Sequence, residues 1–89
     1  MSALRKLKPI HCLDILVYLL EHGETLYTTL MRSIEGSAPT KHKALEQLVK
    51  LGLVKERRLP PRRYLVLTEK GIDVAERLKG IDEVLRSLR

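Results

Sequence analysis

Lys43-Ala-Leu-Glu-Gln-Leu-Val-Lys-Leu-Gly-Leu-Val54 reads as the end of an amphipathic helix, a stop, and the start of a strand. Ala44, Leu45, Leu48 and Leu51 recur at spacings of three and four, so they share one helical face and are expected to point inward. Gly52 follows as a residue suited to the left-handed conformation that closes a helix. Leu53 is placed to pack back on Leu48, as the residue after such a glycine commonly does. Upstream, Gly36-Ser37 marks a turn, Ser37 is a good N-cap, and Pro39 stands close behind it. The helix is therefore expected over about 38–51.

The flanking sequence extends this pattern in both directions. Pro9 can open a helix, and Ile10, Leu13, Leu16, Val17 and Leu20 continue it at helical spacing to Gly23, giving a helix over about 9–22. Residues 25–27 are β-prone and could form one arm of a small sheet. Leu30, Met31 and Ile34 define a second helical face over about 28–35. That helix, the Gly36-Ser37 turn and the helix behind it make a helix-turn-helix.

Downstream, residues 54–58 and 64–67 are β-prone, separated by Leu59-Pro60-Pro61-Arg62. Prolines cannot donate to a ladder, so they belong in the connection of a hairpin with an arginine-rich tip. Thr68 can cap a last helix over 69–88, with Glu69 favourably placed in its first turn. Val74, Leu78, Ile81, Leu85 and Leu88 follow at steps of four, three, four and three, the seam of a two-helix contact. A terminal helix of one small domain offers that seam no obvious internal partner, so these five residues are the expected interface of a homodimer. Gly71 and Gly80 each cost about 1 kcal/mol inside a helix, and Gly80 is a candidate stop.

The expected fold is mainly α with a small β-hairpin (α+β), in the order α-β-α-α-β-β-α. Its 89 residues form one domain: a core over about 9–68, the hairpin over about 54–67 and the C-terminal dimerisation helix over 69–88. Apolar residues make up 44% and charged residues 31%, which suits a folded, helix-rich chain. No apolar run approaches the roughly 20 residues that span a bilayer, and residues 1–9 lack the apolar segment of a secretory signal. The single cysteine cannot staple the fold and fits a reducing, cytoplasmic setting.

Charge placement says more than the formal net charge of +6. Between Ser37 and Arg63 stand eight basic residues (Lys41, Lys43, Lys50, Lys55, Arg57, Arg58, Arg62 and Arg63) against Glu46 and Glu56; elsewhere nine basic and nine acidic residues cancel. Charge segregated in this way makes a positive face, the footprint of a polyanion binder.

The segment Lys43 to Val54, together with Tyr64-Leu-Val-Leu-Thr-Glu-Lys-Gly71, resembles the winged helix-turn-helix transcriptional regulators, in particular the MarR/PadR-like group. The first stretch is similar to that group's recognition helix, glycine stop and first wing strand. The second is similar to the exit from the wing into the next helix. The resemblance implies double-stranded DNA as the partner, with the third helix in the major groove and its N-terminal half facing base edges. The outer stripe of that helix is Thr40, Lys43, Gln47 and Lys50, flanked by Lys41 and His42. Gln47 can pair bidentately with adenine, and Lys43 can reach guanine acceptors or a phosphate. Arg58, Arg62 and Arg63 of the wing would follow the phosphate backbone, and Ser37 at the helix N-terminus can hold a phosphate. Six phosphate-bound cations would give a salt slope of about −5.

Other chemistry finds little foothold. The sequence has no Gly-rich phosphate loop, nucleophile elbow or metal-ligand cluster, so no enzyme, cofactor or metal is expected. His11-Cys12 lies on an apolar helix, where a buried thiol is the ordinary case, and no small-molecule effector is evident. Three tyrosines are the only aromatic residues, too few for the stacking platforms of single-strand binders. Two alternatives remain: a winged-helix module that docks a protein, and a general chromatin-type binder, nucleoid-associated in a prokaryote. Structured RNA also stays open, because phosphate contacts do not distinguish the polymers.

Overall fold

The computed structural model describes residues 9–88 and contains the expected sequence of elements. These are α1 (Pro9–His22), β1 (Thr25–Leu26), α2 (Tyr27–Ser33), α3 (Ala38–Lys50), β2 (Val54–Leu59), β3 (Arg62–Leu67) and α4 (Glu69–Ser87). Residues 1–8 and 89, counted above with the single domain, lie outside the described part, as do the side chains of Pro9 and Ile10. The three strands form one antiparallel sheet in the order β1-β3-β2. Residues 25–26 do supply its short third arm, pairing Thr25 with Leu65 and Leu26 with Tyr64.

The hairpin is longer than its sequence suggested. Both strands run to the tip, with Leu59 opposite Arg62, and only Pro60-Pro61, joined by a cis peptide, form the connection. Its charged residues are thereby held in extended backbone. Arg58, expected at the end of its strand, and Arg62 and Arg63, expected in the turn or just past it, are ladder residues.

One apolar core unites the elements. Ile15 and Leu16 of α1, Leu30 of α2, Leu45 and Leu48 of α3, and Leu65 of β3 are almost wholly removed from solvent. Leu51 departs from its expected inward position: it is 46% exposed. The reason is the geometry of the helix stop. Gly52, at φ +77°, turns the chain so that its N–H donates to Val49 O (3.0 Å) and the N–H of Leu53 to Leu48 O (3.0 Å). This pair of bonds satisfies the last carbonyls of α3, and Leu53 instead of Leu51 packs against the core.

The same stop anchors the final helix. Thr68 caps α4 by accepting the Gly71 N–H at 3.0 Å, while its own hydroxyl donates to Gly52 O (2.6 Å) and its N–H to Leu53 O (3.1 Å). This clasp requires α4 to approach the Gly52-Leu53 backbone closely. A Cβ at Gly71 would stand 1.9 Å from Leu53 O. Gly71 therefore permits contact between backbones and is more than a weak point in a helix.

Helix α4 runs uninterrupted through Gly80 to Ser87. The seam along it divides into two parts. Val74 and Leu78, expected at a dimer interface, pack into the chain's own core beside the fully buried Ala75. They do so because α4 lies along α1, where Lys79 also pairs with Glu21 at 3.3 Å. Beyond Gly80 the apolar side chains of the seam are no longer covered by the described residues: Ile81, Val84, Leu85 and Leu88 are 57–75% exposed.

The two helical glycines should answer substitution with opposite signs. Gly71→Ala should lower unfolding stability by about 2 kcal/mol, because a methyl group must displace backbone. Gly80→Ala, whose added Cβ meets nothing within 4 Å, should raise it by about 0.5–1 kcal/mol. Urea denaturation followed by circular dichroism measures both.

Candidate nucleic-acid interface

Helix α3 begins at Ser37, whose Oγ accepts the Thr40 N–H at 3.4 Å and donates to Thr40 Oγ1 at 2.8 Å. Ser37 therefore does cap the helix, and both hydroxyls are engaged with each other at its N-terminus. Along the outer stripe Lys43 and Lys50 are exposed, whereas Thr40 and Gln47 are partly covered. The four residues thus form one face, as the spacing of three, four and three predicts.

Lys41 has a different role from the one expected. It is only 9% exposed, and its Nζ donates to the carbonyl oxygens of Met31 and Ile34, the latter at 2.9 Å. These carbonyls belong to the last turn of α2 and its C-cap, which lack partners within the helix. Lys41 is a capping group across the helix-turn-helix and is not part of the outer face. It stands four residues before Leu45 and seven before Leu48, so it lies on the core stripe of α3.

A polar chain ties α3 to the wing. Glu46 lies 3.5 Å from His42 Nε2, and His42 Nδ1 shares a hydrogen bond of 2.9 Å with the Tyr27 hydroxyl. The Arg63 guanidinium sits over the Tyr27 ring, 4.4 Å from its centroid, and its Nε donates to Glu56. Arg58 Nε completes the chain with a 3.1 Å bond to the other Glu56 oxygen. His42 and Arg63, expected to meet DNA directly, are thus both bound to Tyr27, and Arg58 and Arg63 share one carboxylate.

Strand alternation gives the wing two distinct faces. Glu56, Arg58 and Arg63 line a groove with Leu45, Val49 and Lys50 of α3. On the opposite face Arg57 makes two bonds to Glu24, at 2.9 and 2.8 Å, and lies 5.1 Å from the Tyr64 ring centroid. The hydrogen bond from Arg57 holds the Glu24 carboxyl below the usual carboxylate range. At Glu56, partial burial pushes upward, but the bonds from Arg63 and Arg58 outweigh it and lower the carboxyl overall.

Of the eight basic residues between Ser37 and Arg63, four are committed within the protein. Lys43, Lys50, Lys55 and Arg62 are exposed and have no ion pair among the described residues. Glu24 and Tyr27 are not indicated by the sequence as contributors to this surface, and neither is the pairing of Arg57, one of its eight cations, with Glu24. Their roles depend on β1 pairing with β3, a contact between residues nearly 40 positions apart.

Among the described residues no group of three or more His, Cys, Asp or Glu side chains could hold a metal ion, and no helix is long and apolar enough to cross a membrane.

Solved structures share this architecture. MepR, a transcription regulator of the Staphylococcus aureus multidrug efflux pump MepA, superposes with a TM-score of 0.74 and 23% identity over 88% of this chain. The chain spans 61% of MepR. SSV1 F-93 gives 0.71 and 28% identity over 89% of this chain and 92% of its own. Sso10a-2, a DNA-binding protein from Sulfolobus solfataricus, gives 0.70 and 20% identity, covering 85% of this chain and 82% of its own. The fold is that of the winged-helix regulators, in agreement with the resemblance of the two motifs. No protein-family profile matches the chain, and neither does any curated protein.

Two outcomes follow from the internal bonds. Lys41→Met should cost about 2–4 kcal/mol, because it leaves two buried carbonyls without donors, while leaving the salt dependence of any DNA binding unchanged. Thermal melts and salt titrations separate the two effects. The lowered carboxyl at Glu56 stabilises the fold above the ordinary glutamate range and ceases to do so as pH falls through its lowered value. The melting temperature of wild type relative to Glu56→Gln should therefore hold steady from neutrality to about pH 5 and shrink below about pH 4.

Proposed function

We propose that this chain is a double-stranded DNA-binding regulator that acts as a homodimer and has no catalytic role. The observation that carries the reading is the unpaired cations Lys43 and Lys50 on the outer stripe of α3; the wing adds the exposed cations Lys55 and Arg62, which the strand register sets on the face shared with Arg57. The likeness to MepR and Sso10a-2 supports it. In this arrangement α3 enters the major groove, Gln47 reads an adenine edge, and Ser37 and Thr40 at the helix start meet a phosphate. Arg62 at the wing tip follows the backbone.

Self-association is supported by α4. Ile81, Val84, Leu85 and Leu88 recur at helical spacing on one face that the described residues leave exposed. A second copy docked there by two-fold symmetry would set two recognition helices at successive major grooves, about 34 Å apart. The interface proposed here is shorter than the five-residue seam, since Val74 and Leu78 are spent on the core, and it gains Val84.

Two experiments test this reading. In anisotropy titrations of a mixed-sequence duplex, four free cations should give a salt slope of about −3.5 per protomer instead of about −5. Arg62→Ala should make the slope shallower by about 1. No binding at low salt would reject DNA and favour a protein-docking role. Light scattering should return twice the 10.2 kDa chain mass for wild type and the single chain for the double variant Ile81→Glu/Leu85→Glu.

A further inference from the structure

The acid inside the basic wing is left unexplained by the duplex reading. Glu56 stands on β2 in the groove between α3 and the wing, beside Val49 and Lys50. A phosphate strand running between recognition helix and wing would pass through that groove. The carboxylate already occupies Arg63 and Arg58, one on each oxygen. The strand register places Arg58 directly opposite Arg63, where like charges repel. An acceptor at position 56 relieves that repulsion, and a glutamine oxygen would also accept an N–H there. Only an ionised carboxylate keeps a negative charge in the path of the phosphates.

Resting on the duplex reading above, we infer that Glu56 is a positioning residue that sets the specificity of the wing by holding Arg58 and Arg63 away from loosely fitting DNA. Its lowered titration range means that it carries this charge throughout the neutral region. Moving an arginine from carboxylate to phosphate exchanges one charge-assisted bond for another and gains little by itself. It also strands the carboxylate opposite the incoming phosphates, a like-charge juxtaposition. The transfer therefore succeeds only where the local groove brings the backbone close enough to add further contacts. Groove width depends on base sequence, so a charge that weakens all binding becomes a means of discrimination. A duplex of arbitrary sequence meets only the unpaired cations.

The test uses anisotropy titrations of the same mixed-sequence duplex at several salt concentrations, with folding checked by thermal melts. Glu56→Gln should bind about tenfold more tightly at low salt, with a slope steeper by about 1–2, because one or two arginines become available to phosphate. Arg58→Ala, which removes a guanidinium already held by Glu56, should cost less than half the slope lost in Arg62→Ala, which removes about one unit. A Glu56→Gln slope equal to or shallower than wild type overturns the inference. So does an Arg58→Ala loss as large as that of Arg62→Ala, and this comparison stands even if Glu56→Gln fails to fold. Absence of wild-type binding at low salt is a separate result. It removes the duplex reading itself, and the role of Glu56 with it.

Discussion

The geometry of this domain turns on a lysine almost wholly withdrawn from solvent. Helix α2 has only seven residues, too few to satisfy its own terminal carbonyls or to persist without tertiary support. Lys41, reaching back from the first turns of α3, donates to two of those carbonyls and so fixes where one helix ends relative to where the next begins. A flexible four-carbon stem suits the task. It packs along the apolar interior while its head meets oxygen atoms that a shorter polar residue could not reach. The tilt of α3 against α2, and hence the direction in which the outer stripe points, depends on this one buried link.

From that fixed helix the order passes outward through two junctions of different chemistry. At the C-terminal end of α3 the junction is backbone on backbone: Gly52, Leu53, Thr68 and Gly71 hold the stop of α3, the root of the wing and the start of α4 within hydrogen-bond distance. On the side facing the wing it is a relay of side chains, from Glu46 through His42 and Tyr27 to Arg63 and Glu56. The first junction sets position, because backbones that touch cannot slide. The second sets the angle of the hairpin and holds Glu46, His42, Arg63 and Glu56 in defined places. Net charge therefore describes this surface poorly: half of its cations are structural members whose charge is answered within a few ångströms.

Much of this was legible in the sequence. The Gly52 stop, the caps at Ser37 and Thr68, the apolar stripes and the proline connection are local signals, governed by neighbours within one or two turns. The sequence also separated the outer stripe of α3 from the core stripe. Lys41 shows how charge misleads where position decides: its spacing to Leu45 and Leu48 puts it on the inner face, where its ammonium meets carbonyls of α2 in place of a phosphate. The division of the α4 seam and the pairing of Arg57 with Glu24 were not legible. Both depend on elements distant in sequence meeting in space, α4 with α1 and β1 with β3. The shared carboxylate at Glu56 lies between these cases. A lone acid between cations can be seen in the sequence, but which cations it holds follows from strand register.

The strand order carries one further consequence. With β3 in the centre, β2 is an outer strand of six residues whose far side has no partner strand among the described residues. Such a border invites a strand from another molecule, the first step of fibre growth. Here the border reads Val-Lys-Glu-Arg-Arg-Leu and runs into two prolines. A second copy laid along it would have to desolvate its own cations against these, and the hairpin's proline connection offers no N–H to extend the ladder. The residues that make the wing positive also keep its sheet from growing beyond one chain.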